Sequence, residues 1–369
     1  MSIMENLINQ WNIRQNIVDG NEERSIQSFT STSLHLDDGS WRIWYSKYDT
    51  GVSVGHYGFG YMDFSHDFKL QRDTFMRIVE KPAQSGLNII GVPPHWNLIQ
   101  PVYLKLSDGR ERIYFWAHGS EGVCRYIVAD STDGVNFIVE DWHCPTLYHP
   151  NDRAVSRELL RSKSLAIYCH EAHRDLSPDE PAATGDMLMN DATNVYVMPD
   201  GTFELYSADV IELTKDLPEP HQKDPIIRII QRRTSADGIH WSAPQQILIR
   251  DDKDPFDLQF YYLSVTYTQN GRICILGHYR SDPGTQDIEF CFSKDGIHWD
   301  RQRKPGFPRW KGVEGVYAPH DMVLAGDLYY LFYSGYSQTH HGVVSPDAPP
   351  DMPRSWIGLA TIPVSAFLQ

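Results

Sequence analysis

Apolar and polar positions alternate along the chain in one repeated unit: a short strand, a polar turn containing Gly, and a second strand rich in aromatic residues. The period of two is typical of β-strands, and Asp-Gly turns supply the left-handed backbone that tight hairpins need. Each copy is followed by a further strand pair. We therefore predict an all-β fold, a five-bladed β-propeller with four-stranded antiparallel blades. The five copies span residues 34–46, 102–116, 195–206, 265–279 and 322–334.

A second motif, Ser-x-Asp-Gly-x-x-Trp/Phe, occurs at 131–137, 235–241 and 293–299, and a degenerate copy begins at Ser65. We expect its Asp to cap a turn, because an Asp side chain readily accepts hydrogen bonds from backbone N–H groups just ahead of it. The Trp at the end of the motif would fill the gap between two blades. Trp241 and Trp299 are therefore predicted to be structural residues rather than site residues.

Helical periodicity is weak, and residues 3–13 are the one segment predicted to be helical, as a cap on the propeller or as a homodimer contact. Residues 151–165 and 172–190 are rich in charge and Pro and read as insertions between blades. No linker divides the chain. We predict a single domain over residues 1–369.

Composition removes several classes of function. The formal net charge of −15 disfavours nucleic acid, because phosphate backbones bind basic faces. No apolar run is long enough to span a membrane, and the N-terminus shows no export signal. Five widely spaced Cys without a Cys-x-x-Cys pair suit buried reduced thiols better than a disulfide frame or a zinc site. These features predict a cytoplasmic protein with a small-molecule substrate.

The phrases at 235–242, 293–299 and 356–361 resemble the five-bladed β-propeller glycosidase superfamily, which includes arabinanase/β-xylosidase-, invertase- and neoagarobiose-hydrolase-like enzymes. Uncharacterised glycosidase-like members are the most similar. The resemblance implies a glycoside hydrolase acting on a small oligosaccharide or glycoside, with a furanoside among the alternatives. Insertions at 84–100 and 172–190 would wall off a pocket, which predicts exo-action. Inversion is expected by analogy, because two of the three related groups invert. The invertase-type Trp-Met-Asn-Asp-Pro-Asn signature is missing, so catalytic positions have to be inferred from this chain.

In such a propeller the first residues of each inner strand would face the axial funnel. Glycoside cleavage uses two carboxyl groups, one to protonate the leaving oxygen and one to act on the other face of the sugar. Asp191 and Glu314, each just before an inner strand, are the predicted pair. Glu314 lies in a Glu-Gly stretch similar to one in arabinanase-type enzymes. Asp257 is the predicted third carboxylate, orienting the sugar; the alternative for all three is a turn or strand-end cap.

Other polar and aromatic residues near the inner strands are predicted to bind the substrate. Trp96 and Tyr261 would stack on the apolar face of a sugar or, alternatively, pack between blades. The predicted substrate-binding residues are Trp96, Asn97, Gln100, His118, Asn190, Asn194, Gln259, Tyr261, Tyr317, His320 and His341.

No cofactor or metal site is predicted, although a central divalent cation stays open. The His170-Glu171-Ala172-His173 run lacks the helical His-Glu-x-x-His spacing of a zinc site. Two alternative functions also stay open. One is a non-catalytic propeller that binds sugar or protein. The other is a phosphorylase or transferase, which would need a basic phosphate pocket from residues such as Arg24, Arg174 or Arg280.

Overall fold

A computed structural model of the protein describes residues 7–21, 24–49, 57–119, 124–148, 186–188, 190–212 and 226–367. These residues form an all-β structure, as predicted, and their helical segments are two 3-10 turns, Leu7–Asn9 and Val364–Phe367. Within the predicted helical stretch 3–13, the described part is therefore one 3-10 turn followed by a strand that begins at Asn12. None of the described helices is long and apolar enough to cross a membrane.

Twenty-five strands follow one another along the described chain, most of them in antiparallel meanders. The N-terminal strand is β1 (Asn12–Asp19). The first meander comprises β2 (Arg24–Gln27), β3 (Ser33–His35), β4 (Trp41–Asp49), β5 (Tyr57–Phe64) and β6 (Leu70–Ile78), and β7 (Leu87–Ile90) follows. The second meander comprises β8 (Asn97–Lys105), β9 (Glu111–His118), β10 (Cys124–Ser131), β11 (Asn136–Ile138) and β12 (Leu147–Tyr148).

The remaining strands repeat this order after the short strand β13 (Asp186–Met187). The third meander comprises β14 (Thr193–Val197), β15 (Phe203–Glu212), β16 (Ile226–Ser235) and β17 (Gln245–Leu248). The fourth comprises β18 (Leu258–Thr268), β19 (Gly271–Arg280), β20 (Thr285–Ser293) and β21 (Asp300–Arg301). The fifth comprises β22 (Gly315–Tyr317), β23 (Val323–Ala325), β24 (Leu328–Tyr336) and β25 (Ser355–Pro363). All five hairpins predicted from the repeat are present.

The N-terminal strand joins the two ends of the chain, because β1 pairs antiparallel with β25 from Asn12 opposite Thr361 to Asp19 opposite Trp356. Trp11, just before β1, is 9% exposed and donates its indole N–H to the carbonyl of Gly306 at 2.9 Å. Its ring packs against Phe307, which lies in the connection between the fourth and fifth meanders. The first described residues thus complete the sheet of the last meander.

The Ser-x-Asp-Gly turns are structural, as predicted. In the copy of the third meander, Asp237 Oδ1 accepts the backbone N–H groups of Ile239 and His240, each at 2.8 Å. The carbonyl of Gly238 accepts the hydroxyl of Tyr114 from the second meander at 2.8 Å. Gly238 has φ +74°, and a side chain there would collide with that hydroxyl. The turn therefore docks one meander onto the preceding one.

The same docking recurs one meander further on, where Trp299 lies 6.1 Å from the ring of Tyr206 in an edge-on contact. Trp241 is half-buried against the apolar cluster of the second and third meanders. Both tryptophans therefore pack between meanders. The thiols follow the prediction only in part, because Cys274 and Cys291 are buried whereas Cys144 is exposed.

Irregularities interrupt the first strand of several meanders. The β8–β9 register slips between Ile99 and Val102, and the β18–β19 register slips between Phe260 and Leu263. In the first meander, β2 and β3 pair with the same strand but are separated by residues 28–32. Such bulges bend a strand and re-aim a side chain. They lie where the five meanders meet.

Candidate active site

A cavity of about 260 Å³ lies at this meeting point and receives residues from all five meanders or their first connections. It is near the small end of the range of about 300–1,000 Å³ typical of small-molecule pockets. Its lining is aromatic and polar, with one carboxylate. The lining residues are Gln27, Phe29, Tyr48, Tyr57, Ile99, Gln100, Asp191, Tyr261, Tyr317, Tyr336, Gln338, Thr339 and His340.

Asp191 supplies the carboxylate of this lining. Its Oδ2 accepts a hydrogen bond from Nε2 of Gln100 at 3.3 Å. His118 lies close enough for the Asp191 charge to act on it: burial lowers the pKa of His118, and the negative charge of Asp191 opposes that shift. The His118 imidazole is therefore held mainly neutral beside the carboxylate. Its Nε2 is buried without a hydrogen-bond partner among the described residues.

His340 is another member of the lining and lies between two phenols. Its Nδ1 lies 3.3 Å from the Tyr317 hydroxyl, and its Nε2 lies 3.5 Å from the Tyr261 hydroxyl. Loss of hydration and the nearby Arg228 cation lower the pKa of His340 to about 4. Burial raises the pKa of Tyr317 well above its ordinary value. At neutral pH this group therefore offers a neutral imidazole and protonated phenols, which suit neutral hydroxyl groups.

A second aromatic group lies on the side of the cavity formed by the first and last meanders. The Tyr336 hydroxyl donates to Oε1 of Gln27 at 2.7 Å and lies 3.3 Å from the Tyr48 hydroxyl. Tyr57 is 37% exposed, with its ring 5.2 Å from that of Tyr48. Its backbone N–H donates to Oδ1 of Asn97 at 3.1 Å. Tyr57 thus presents a fixed and accessible aromatic face to the cavity.

Behind the lining, Arg228 is 7% exposed and connects two of the predicted binding residues. Its Nη1 donates to Oε1 of Gln259 at 2.6 Å, and its Nε lies 3.5 Å from Oδ1 of Asn190. The guanidinium lies 5.0 Å from the ring centre of Tyr261 and 5.2 Å from that of Tyr279, within the range of cation–π attraction. Asn190 and Gln259 therefore hold a buried cation next to the cavity rather than lining it.

Of the three predicted carboxylates, one is among the described residues of the cavity lining. Asp191 lines the cavity, whereas Asp257 and Glu314 are not among the lining residues. Asp257 is 9% exposed and pairs with Arg280, whose Nη2 lies 2.6 Å from Oδ1. Glu314 accepts a hydrogen bond from Nη2 of Arg309 at 2.9 Å. Each of these two carboxylates is balanced by an Arg, and their catalytic role stays a prediction.

Three more predicted binding residues mainly hold strands together. Asn194 donates its amide N–H to the carbonyl of Leu263 at 2.9 Å. His320 has Nε2 2.8 Å from the carbonyl of Val195, an arrangement that places the N–H on that nitrogen. Asn97 fixes the Tyr57 backbone, as described above.

Two further predicted residues lie outside the lining. Trp96 packs edge-on against Trp142, with ring centres 4.7 Å apart, which favours the packing alternative. His341 is exposed, 3.3 Å from the Tyr279 hydroxyl. Among the predicted binding residues, Gln100, Tyr261 and Tyr317 line the cavity.

Sequence reasoning missed much of the aromatic lining. Phe29, Tyr48, Tyr57 and Tyr336 reach the cavity from strand ends or from the break between β2 and β3, and the prediction did not include them. The run of aromatic and polar residues at 336–341 is the signal that could have identified the last part of the lining. The predicted insertion 151–165, the His170–His173 run and Arg174 lie outside the described residues. Of the predicted insertion 172–190, the structure describes residues 186–188 and 190.

Within the described ranges, no group of three or more His, Cys, Asp or Glu side chains is arranged to hold an ion.

Comparison with known proteins identifies the class of fold. No protein-family model matches the chain, and no curated protein sequence matches it. Solved structures do match over nearly the whole length, and they include members of the five-bladed β-propeller glycosidase superfamily, as the turn motifs predicted.

Three of these structures illustrate the range. A GH43_1 enzyme from Xanthomonas citri complexed with xylose is 12% identical, covers 98% of this chain and 93% of its own, and has a TM-score of 0.55. An N-acetylgalactosamine deacetylase from F. plautii, in complex with blood group B trisaccharide, is 15% identical, with 97% coverage of both chains and a TM-score of 0.57. The third structure comes from the GH130 family of mannoside phosphorylases, which contains glycoside hydrolases that target β-1,2 mannosidic linkages in Candida mannan. It is 13% identical, covers 95% of this chain and 93% of its own, and has a TM-score of 0.52. At these identities the similarity establishes the fold alone.

Proposed function

We propose that the protein is a glycoside hydrolase acting on a small oligosaccharide or glycoside. The observation that carries the proposal is the cavity where five meanders meet, because it combines one carboxylate, Asp191, with several phenols and a neutral imidazole. Polar groups of this kind match sugar hydroxyls, and the aromatic face of Tyr57 matches the apolar face of a sugar ring. The fold shared with sugar-processing enzymes supports the same class of substrate.

Asp191 would transfer the proton or activate the water in this reaction. A two-carboxylate mechanism needs a second acid, and the described lining holds Asp191 as its only carboxylate, so that second group would come from outside this lining. Exo-action on the end of a chain agrees with a cavity of about 260 Å³. Inversion of the anomeric centre is proposed by analogy with related groups.

We also propose that the five meanders are the blades of one ring, each with four strands in cross-section, and that β1 closes the ring by pairing with β25. On this proposal the chain is a single domain. The cavity then lies at the axis, where residues far apart in sequence converge.

The test is a screen of 4-nitrophenyl furanosides and pyranosides, run with and without inorganic phosphate. On the best substrate, Asp191→Asn should lower kcat by about 10²- to 10⁴-fold, the range for one proton-transfer group. Asp327→Asn, an exposed carboxylate in a turn, is the matched control and should be fully active. Glu314→Gln and Asp257→Asn test the remaining predicted carboxylates in the same assay.

Three results would redirect the proposal. Turnover that requires phosphate would favour the phosphorylase alternative. No turnover on any glycoside, with sugar binding retained, would favour a non-catalytic propeller. Full activity of Asp191→Asn would remove Asp191 from the mechanism. The anomer of the first product, observed by NMR, tests inversion.

A further inference from the structure

Gln100 has a backbone conformation that its side chain does not favour. Its φ is +57°, in the left-handed region that residues other than Gly, Asn and Asp rarely adopt. It precedes Pro101, which restricts its backbone further, and it lies in the bulge between Ile99 and Val102. Strain of this kind persists where the surrounding structure imposes it, often at functional sites.

Two other meanders hold Gln100 in place. Its backbone N–H donates to Oγ of Ser46 at 2.8 Å, and Ser46 is a fully buried residue of β4 in the first meander. Its side-chain Nε2 donates to Oδ2 of Asp191, next to the third meander, at 3.3 Å. Gln100 thus fixes the position of Asp191 relative to two neighbouring meanders.

The other end of the Gln100 amide is unpaired. The side chain is 3% exposed and lines the cavity, but its Oε1 has no hydrogen-bond partner among the described residues. Buried acceptors are nearly always satisfied in folded proteins. Because the same amide donates to Asp191 through Nε2, Oε1 is left as the unsatisfied acceptor of a side chain that lines the cavity.

We propose that Gln100 is a positioning residue that orients the Asp191 carboxylate with its N–H and accepts one hydroxyl of the bound sugar with its Oε1. This inference rests on the proposed function and makes it more specific. The substrate must carry a free hydroxyl beside the group on which Asp191 acts. A sugar lacking that hydroxyl would leave Oε1 unsatisfied and would be a poor substrate.

Gln100→Glu and Gln100→Ala test the two hydrogen bonds. Gln100→Glu keeps the shape but replaces the N–H donor with a second carboxylate next to Asp191. We expect kcat to fall by about 10- to 100-fold, the effect of a misplaced reacting group, and the acidic limb of the pH–rate profile to move to higher pH, because like charges favour the protonated form. Gln100→Ala removes the N–H donor without adding a charge, so its acidic limb should also move to higher pH, whereas a purely structural role would leave the limb of Gln100→Ala in place.

The substrate arm uses monodeoxy 4-nitrophenyl glycosides of the sugar that the wild-type enzyme cleaves best. One deoxy position should lower kcat/KM of the wild-type enzyme by about tenfold or more. The same deoxygenation should have much less effect on Gln100→Ala, which has already lost the acceptor.

Gln100→Gly separates backbone strain from side-chain function, because Gly adopts positive φ freely. It should fold, as judged by its thermal unfolding, and should be as inactive as Gln100→Ala. His95→Gly is the matched control: His95 also has positive φ, +75°, but is exposed and outside the lining, so activity should be unchanged.

The failures can be told apart. If Asp191→Asn is inactive while Gln100→Glu and Gln100→Ala stay within about twofold of the wild-type kcat/KM, the Gln100 inference alone is overturned. The Gln100 inference is also overturned if every deoxy substrate lowers kcat/KM equally in the wild-type enzyme and in Gln100→Ala. If Asp191→Asn is fully active, the role of Asp191 fails, and the Gln100 inference fails with it. If no glycoside is cleaved, the proposed function itself fails.

Discussion

Glu204 is a buried carboxylate that we expect to stabilise the fold rather than take part in catalysis. It lies on β15, is 3% exposed and accepts hydrogen bonds from four side chains. Tyr206 and Tyr267 donate to Oε2 at 2.8 and 2.5 Å, and Arg232 and Arg272 donate to Oε1 at 2.6 and 2.9 Å. Tyr267 and Arg272 belong to the fourth meander, so this one carboxylate links two meanders.

Glu204→Gln removes the charge but keeps the shape. Two Arg side chains then lie next to a neutral amide, and breaking a buried ion pair in this way costs about 3–5 kcal/mol of unfolding free energy. The loss should be measured by urea unfolding at pH 7. Asp67→Asn removes a carboxylate that pairs with Lys69 on the exposed surface and should leave stability unchanged within error.

The pH dependence of that loss gives a second readout. Burial raises the pKa of Glu204, but hydrogen bonds from Tyr267, Arg232 and Tyr206 outweigh it, so the pKa lies below its ordinary value. A carboxyl whose pKa is lower in the folded state stabilises the protein fully above the unfolded value of about 4.3, and this stabilisation is lost as the pH falls through the folded value. The difference between wild type and Glu204→Gln should therefore shrink below about pH 4.

A stabilising role of Glu204 is contradicted if Glu204→Gln lowers the free energy of unfolding by less than about 1 kcal/mol at pH 7, which is the range for an exposed ion pair. Activity adds a further check. Because Glu204 lies outside the cavity lining, folded Glu204→Gln should retain the specific activity of the wild type, and a selective loss of kcat would contradict its structural role.

Two other variants test ring closure and substrate contact. Trp11→Ala should lower the free energy of unfolding by about 3–5 kcal/mol, because Trp11 packs against Phe290 and Phe307 next to β1. A change below about 1 kcal/mol in urea unfolding would show that this contact does not secure β1. Tyr57→Ala should raise KM by about three- to tenfold with kcat nearly unchanged, since it removes an aromatic face that binds substrate. Phe75→Ala, which removes another exposed aromatic of the first meander, should leave KM unchanged, and an equal effect of both variants would exclude a specific role for Tyr57.

The sequence alone determined the strand pattern and the turns. Alternation of apolar and polar residues and the Gly-containing turns predicted all five hairpins, because these signals depend on neighbours within a few residues. The Ser-x-Asp-Gly motif was likewise interpreted correctly as structural, since Asp237 caps its own turn with backbone groups two and three positions ahead. The position of Asp191 before an inner strand also identified it as a cavity residue.

Tertiary structure decided which other side chains meet Asp191. Gln100 reaches it because its strand has a bulge and a left-handed backbone at that position. Tyr57 lines the same cavity and is held there by Asn97, a residue 40 positions further along the chain. Asp257 and Glu314 pair with Arg280 and Arg309 and are not among the described lining residues. Pairings of this kind depend on strand register and on distant parts of the chain, and no local pattern in the sequence specifies them.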